Sequence, residues 1–141
     1  MPPRRTNPKQ RAARRESTPG AVITRRVREL CLSFPETTER SSWGHPNFRA
    51  GTKTFAALER VQQRPSIAFR LERDEVARLA ERTNFFATPY GRGLWVSVWA
   101  DVPADWRVVA GLLRRSYRGV ALKRMLAELD GVRARTPRRA L

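Results

Sequence analysis

Histidine and cysteine are almost absent from this sequence, which contains one of each among 141 residues. The single cysteine, Cys31, excludes an internal disulfide, and one histidine beside it does not complete a zinc-binding set. One interpretation of His45 is a general acid or base, or a contact to a base edge. Because no nucleophile or carboxylate pair stands beside it, we expect instead that its ring ties down a turn. The sequence therefore predicts no catalytic residues, no enzyme activity, no metal and no cofactor.

Acidic residues are also few. The chain has 13 of them against 29 lysines and arginines, which leaves a formal net charge of +16. More than half of this excess lies in residues 1–20 and 132–141. Such a balance favours a polyanionic partner, nucleic acid before an anionic membrane surface.

Long apolar runs and phosphate-binding glycine motifs are missing too. No apolar run approaches the ~20 residues that a membrane span requires, and the basic amino terminus lacks the apolar core of a secretory signal. We therefore expect a cytoplasmic protein without a membrane span. Gly91-Arg92-Gly93 is too short to cradle a phosphate, so nucleotide hydrolysis is not expected. The close acidic pairs, Glu36 with Glu39 and Asp101 with Asp105, lie at turns and suit capping or solvated charge.

The length suffices for one domain with one core. Residues 1–19 are poor in apolar side chains and are predicted to be a disordered basic tail. Residues 20–131 are predicted to form the domain, and residues 132–141 a second basic tail. Apolar residues at helical spacing predict a first helix over residues 20–33. Cys31 lies on its apolar face, so we expect a buried, inert thiol.

Alternating apolar and polar residues then predict antiparallel strands. Two strands form a hairpin around Gly51, and the second has two faces: Phe55, Ala57 and Glu59 on one, and Thr54, Ala56 and Leu58 on the other. The predictions that follow are, in chain order, a loop over 62–65, a strand through Ile67, Phe69 and Leu71, a short helix capped by Asp74, a loop over 83–93 and a last strand over 94–100.

The carboxyl-terminal part is predicted to be helical from residue 103 onwards. Trp106 and Tyr117 lie on its apolar side, and we expect the Tyr117 ring to be buried and its hydroxyl anchored. The pattern continues to a helix stop at Gly131, either as one helix bent near Gly119 or as two. Helices and antiparallel strands in this order make an α+β plan.

The stretch from Ser41 to Ala57 is the most distinctive in the chain. Three motifs stand out, Trp43-Gly44-His45-Pro46 with Phe48, the hairpin Gly51…Lys53…Phe55-Ala56, and Ser116-Tyr117…Lys123 further on. They resemble those of the MmcQ/YjbR family over about Val22 to Asp130. The resemblance implies a CyaY-like (frataxin-like) fold, an antiparallel sheet with helices packed on one face, and a DNA-binding role, since members of the family are commonly labelled in this way.

The same resemblance raises iron as a possible ligand. Frataxin-like proteins that handle iron use an acidic ridge on the first helix. The corresponding helix here carries Arg25, Arg26 and Arg28 against Glu29. These side chains would repel cations, so iron delivery is not expected.

Basic side chains support the principal functional hypothesis, a nucleic-acid-binding domain that contacts mainly phosphates. We expect DNA rather than RNA, and both tails would add contacts that weaken with salt. Only Glu128 and Asp130 are acidic after Asp105, so the last helices lack the partners expected of a merely solvated face. The predicted contact residues are Arg49, Lys53, Arg92, Arg107, Arg114, Arg115, Arg118, Lys123 and Arg124.

A second hypothesis is a protein-interaction or small-ligand module. In it the Trp43–His45 turn and the Tyr90–Trp95 loop line a pocket, and Pro46 holds the side chains of the turn rigid. Trp95 and Trp99 share one face of the last strand. We expect both to be core residues; if they are exposed, they are the best candidates for stacking on bases.

Overall fold

A computed structural model describes residues 19–138, with the side chains of residues 20–131. The predicted disordered tail over residues 1–19 lies outside the described residues, except for the backbone of Pro19. Residues 139–141 of the predicted second tail lie outside them too.

The described residues form an α+β fold of four helices and six strands. The helices are α1 (Pro19–Ser33), α2 (Arg73–Ala80), α3 (Trp106–Val120) and α4 (Lys123–Arg138). The strands are β1 (Thr37–Ser42), β2 (His45–Ala50), β3 (Lys53–Val61), β4 (Arg64–Arg70), β5 (Phe85–Ala87) and β6 (Trp95–Trp99). They make one antiparallel sheet in the order β1-β2-β3-β4-β6-β5. The predicted fold class is confirmed. None of the helices in this part of the chain is apolar over a length that would cross a membrane.

The hydrophobic core lies between the helices and one face of the sheet, and Tyr117 of α3 is at its centre. Its ring is fully buried against Phe34 and Phe55, and its hydroxyl donates to the Pro35 carbonyl at 2.8 Å. The structure thus agrees with the predicted anchoring of this residue. Cys31 is buried in the same core, and burial raises the pKa of its thiol. The thiol therefore stays protonated and unreactive.

A β-bulge in β3 decides which side chains point away from this core. Phe48 pairs with Ala56, but the next residue, Arg49, pairs with Thr54, so Phe55 is an extra residue in its strand. The bulge places Phe55 in the core together with Ala56. The predicted strict alternation was wrong at this point, because a bulge shifts the faces by one residue. Thr54 consequently lies on the same face as Ala57 and Glu59.

Two strands were missed because their sequences carry no alternation. All six residues of β1 are polar, and the strand lies at the edge of the sheet, where pairing with β2 on one side suffices. The three residues of β5 fall within the predicted loop over 83–93 and pair with β6 at the other edge. The loop predicted over 62–65 is shorter than expected, because Gln62 and Gln63 alone form the turn and both have positive φ.

Helix ends also differ from the prediction. Glu72, not Asp74, is at the amino-terminal cap of α2, and no side chain bonds there. The last helical region is two helices, separated where Ala121 adopts an extended backbone. The stop expected at Gly131 was wrong, since α4 continues to Arg138. Gly131 lacks the positive φ by which a glycine usually ends a helix.

Candidate functional site

The face of the sheet turned away from the helices, here called the open face, carries a groove of about 390 Å³. All four residues predicted to form a pocket line it, although they come from two separate segments of the chain. We call it the aromatic groove; it is lined by Ser42, Trp43, His45, Asn47, Thr54, Ala57, Glu59, Tyr90 and Trp95.

The floor of the aromatic groove is made by β2 and β3. Asn47 and Ala57 are directly opposite each other in the ladder, so their side chains share one face. The bulge at Phe55 brings Thr54 onto this face as well. Without the bulge, the large Phe55 ring would share the face of Ala57 and Glu59, and Thr54 would point towards the core.

One wall is the turn between β1 and β2. Trp43 and Gly44 are its two central residues, with φ of 54° and 78°. A left-handed backbone is rare for a bulky residue and costs roughly 1–2 kcal/mol. The Trp43 side chain is 98% exposed, so no burial in the described fold offsets this cost. His45 and Pro46 begin β2 and so lie directly after the two central residues of the turn.

The opposite wall is the segment between β5 and β6. It is fixed by a buried hydrogen bond of 2.7 Å between the hydroxyls of Thr88 and Ser97. Gly91 has a φ of 89° and lies so close to the Trp95 ring that a Cβ there would clash. This packing turns one edge of the indole towards the groove and leaves Tyr90 half exposed at the rim.

Glu59 provides the least satisfied polar group of the floor. One of its carboxylate oxygens, Oε1, is buried and has no hydrogen-bond partner. Burial, with a smaller effect of the Glu59 carboxylate, raises the pKa of Tyr90. The groove thus presents a carboxylate acceptor among aromatic side chains. Sequence reasoning missed Glu59 and Asn47; the signal available was a carboxylate directly after the apolar run from Phe55 to Leu58.

The two tryptophans of β6 lie on the open face, outside the core cluster formed by their neighbours Val96 and Val98. The expectation that both are core residues was wrong. Trp99 is stacked between the Phe86 ring, at 4.3 Å between centroids, and the Arg64 guanidinium, at 4.0 Å. Of these two tryptophans, only Trp95 therefore lines the aromatic groove.

Arginines surround the groove on the same face. Arg40 is opposite Asn47 in the β1–β2 ladder, and Arg70 is opposite Trp95 in the β4–β6 ladder. Arg49 donates to Asn47 Oδ1 at 3.4 Å. Of these three residues only Arg49 was predicted, because Arg40 lies in the strand that the sequence did not reveal.

Three of the nine predicted contact residues are held in ion pairs. Arg115 pairs with Glu75, Arg118 with Asp130, and Arg124 with Glu36 at 2.8 Å. The sequence argument considered only i,i+4 partners along the helices. None of these three pairs has that spacing, and two of the partners come from distant segments. Arg124 holds the pKa of Glu36 below its ordinary value through their hydrogen bonds.

The other six have no acidic partner among the side chains that the structure describes: Arg49, Lys53, Arg92, Arg107, Arg114 and Lys123. They do not form a single surface. Arg107 and Arg114 are exposed on α3 in the helical layer, whereas Arg49 lies on the open face. Arg92, with a φ of 55°, lies in the segment that forms the second wall.

Metal ligands are not clustered in the described part of the chain. No three histidine, cysteine, aspartate or glutamate side chains within residues 20–131 lie close enough together to hold an ion. The groove therefore has the chemistry of aromatic faces, one carboxylate acceptor and surrounding guanidinium groups.

The described residues form a small α+β domain with a groove on its sheet, and comparison with known proteins identifies its family. The YjbR family model matches residues 32–119, more than half of the chain. The protein therefore belongs to the YjbR family.

Two solved structures share the fold. A DUF419-domain protein of Deinococcus radiodurans is 18% identical, with a TM-score of 0.63 over 76% of this chain and 87% of that chain. A protein of Pseudomonas syringae is 14% identical, with a TM-score of 0.53 over 80% of this chain and 97% of that chain. At these identities the likeness shows the fold alone. No curated protein matches the chain.

Proposed function

We propose that this YjbR-family protein is a nucleic-acid-binding module, not an enzyme, and that it binds on the open face of the sheet. The observation that carries the proposal is the placement of exposed aromatic rings among arginines. Trp43 and Tyr90 are at the rim of the aromatic groove, and Arg40, Arg49 and Arg70 lie around it. Aromatic rings with interleaved cations are the general means by which proteins hold unpaired bases and their phosphates.

The exposure of Trp43 supports a binding role. Large apolar side chains at a rim mark interaction sites when they are grouped, and single ones need no explanation. Here Trp43 and Tyr90 are grouped around one groove, and Trp43 also takes an unfavourable backbone conformation. Stacking on one base is worth about 1–3 kcal/mol, which exceeds or matches the cost of that conformation.

The helical layer supplies a second, weaker set of phosphate contacts. Arg107 and Arg114 lie seven residues apart on α3, both exposed and without an acidic partner among the described residues. They would add contacts independent of sequence, together with the arginines of residues 1–20 and 132–141. DNA in preference to RNA remains our expectation.

The test is fluorescence anisotropy of the full chain with labelled single-stranded and duplex DNA over a salt series. Each phosphate contact contributes a slope of about −0.7 for single strands and about −0.9 for duplex in log K against log salt. We expect Arg49→Ala with Arg70→Ala to weaken single-strand binding and to reduce its slope. Arg78→Ala removes one charge from α2, outside the lining of the aromatic groove, and serves as the control.

Two results would overturn the proposal. The first is the absence of binding to either nucleic acid at low salt. The second is binding that is unchanged by every substitution within residues 20–131, since the contacts would then lie in the tails. RNA of the same sequence tests the expected preference for DNA.

A second candidate is a small-ligand or protein-interaction site in the aromatic groove. It is favoured by the unpaired Glu59 Oε1 and by the convergence of the four predicted pocket residues. Such a site would bind its ligand with little dependence on salt, whereas phosphate contacts weaken steeply.

A further inference from the structure

We infer that the aromatic groove holds one unpaired base, and that Glu59 selects a base whose edge presents N–H donors, guanine first. This inference rests on the proposed function and names the ligand of the same site. It follows from the shape of the groove, the unpaired acceptor on its floor and the arginines on either side.

The geometry requires an unpaired base. The groove lies between the β1–β2 turn and the segment after β5, and its aromatic rings come from both sides. A base within a duplex keeps its faces stacked on its neighbours and its pairing edge occupied, so it cannot enter between such rings. A single strand offers both the face and the edge.

Glu59 determines which edge is accepted. A buried acceptor without a donor is unfavourable, and Oε1 of Glu59 is such an acceptor. Glu59 and Tyr90 both line the groove, so this acceptor lies beside an aromatic ring. A ligand that donates an N–H to Oε1 is therefore favoured over one that presents only carbonyl oxygens.

The four bases differ in this respect. Guanine presents two adjacent donors, the ring N1–H and the exocyclic amino group, on its pairing edge. Cytosine and adenine present one amino group each beside a ring acceptor. Thymine and uracil place their single N–H between two carbonyl oxygens, which a carboxylate repels. The expected order is guanine, then cytosine and adenine, then thymine or uracil.

The backbone of the strand has cationic partners on both sides of the groove. Arg40 lies beside Asn47 on β1, and Arg70 lies beside Trp95 on β4, so they flank the floor across the sheet. Arg49 is held towards Asn47 by a hydrogen bond. Phosphates before and after the bound base would meet these guanidinium groups, which position the strand without reading its sequence.

The experiment measures anisotropy of the full chain with four labelled single strands of deoxythymidines, one unsubstituted and the others with a central dG, dC or dA. We expect the strand with dG to bind roughly tenfold more tightly than the unsubstituted strand, in the range of one good base contact. Glu59→Gln should abolish this preference, because the amide presents a donor beside its acceptor. Its thermal unfolding midpoint should stay close to that of the wild type.

If Glu59→Gln does not fold, Trp43→Ala provides a second test. This variant should fold, because the exposed indole does not contribute to the core. We expect this variant to bind every strand roughly tenfold more weakly. Leu32→Ala, which removes an exposed apolar side chain on α1, is the matched control and should bind as the wild type does.

The outcomes separate the inference from the proposed function. Equal binding of all four strands, or unchanged binding by Trp43→Ala, overturns the inference and leaves nucleic-acid binding in place. The absence of binding to every strand and to duplex overturns both. A preference for the dG strand that Glu59→Gln removes supports both.

Discussion

Replacing Trp43 with asparagine is expected to stabilise the fold and to weaken binding at the same time. Trp43 and Gly44 are the central residues of a two-residue turn, and both have positive φ. Asn-Gly is the preferred pair for such a turn, because asparagine tolerates the left-handed conformation far better than tryptophan. The change Trp43→Asn creates this pair without altering the strands.

The size of the effect follows from the exposure of the side chain. Because Trp43 is 98% exposed, its removal exposes no core surface and leaves no cavity. Relief of the backbone conformation should then raise the free energy of unfolding by about 1 kcal/mol. For a domain of this size that is a rise of roughly 3–5 °C in Tm. Loss of the ring should weaken single-strand binding by about 1–3 kcal/mol.

Differential scanning calorimetry and anisotropy on the same preparation test both effects. Gln62→Asn is the matched control, since Gln62 has a φ of 52° in the turn between β3 and β4 and does not line the groove. It should stabilise the fold by a similar amount and leave binding unchanged. A lower Tm for Trp43→Asn would mean that the indole makes stabilising contacts in the folded protein. Unchanged binding would mean that the groove is not the stacking site.

Three further predictions concern the core and the ion pairs. Tyr117→Phe should lower the free energy of unfolding in urea by about 1–2 kcal/mol, because the buried Pro35 carbonyl loses its donor at 2.8 Å; no change would show that water replaces the hydroxyl. The Cys31 thiol should react with a disulfide reagent only as fast as the protein unfolds, since burial raises its pKa, and a fast reaction in the native state would contradict its position in the core. Hydrogen bonds from Arg64 hold the pKa of Asp101 below its ordinary value, so this carboxylate stabilises the fold above about pH 4 and the effect is lost as pH falls through the lowered pKa. In Arg64→Ala the free energy of unfolding should fall less steeply between about pH 5 and pH 2, as measured by chemical denaturation at several pH values. If it falls as steeply as in the wild type, solvent screens the pair.

The ion pairs show that contacts between distant segments cannot be predicted from this sequence. Arg124 and Glu36 are 88 residues apart and meet only because α4 packs beside the start of β1. Arg115 likewise meets Glu75 of another helix. A count of acidic residues within the same helix cannot reveal such partners. Three members of the predicted cationic surface are thus ion-paired, and the other six have no acidic partner among the described side chains.

Residues 20–131 specify much of the architecture by local pattern alone. The spacing of apolar residues predicted α1, the hairpin of β2 and β3, the strand β6 and the helical carboxyl-terminal part, because helices and half-buried strands impose periods of 3.6 and 2 residues. The distinctive motifs also identified the family, and the four residues predicted to line a pocket all line the aromatic groove.

Tertiary structure decided what local pattern cannot express. The polar strand β1 exists because β2 offers it hydrogen bonds, and the bulge at Phe55 exists because that ring fills the space against Tyr117. Together they set Glu59, Asn47 and Arg40 around one groove. The face on which a side chain lies depends on pairing between strands that are separate in sequence, so the chemistry of the groove became visible only in the folded chain.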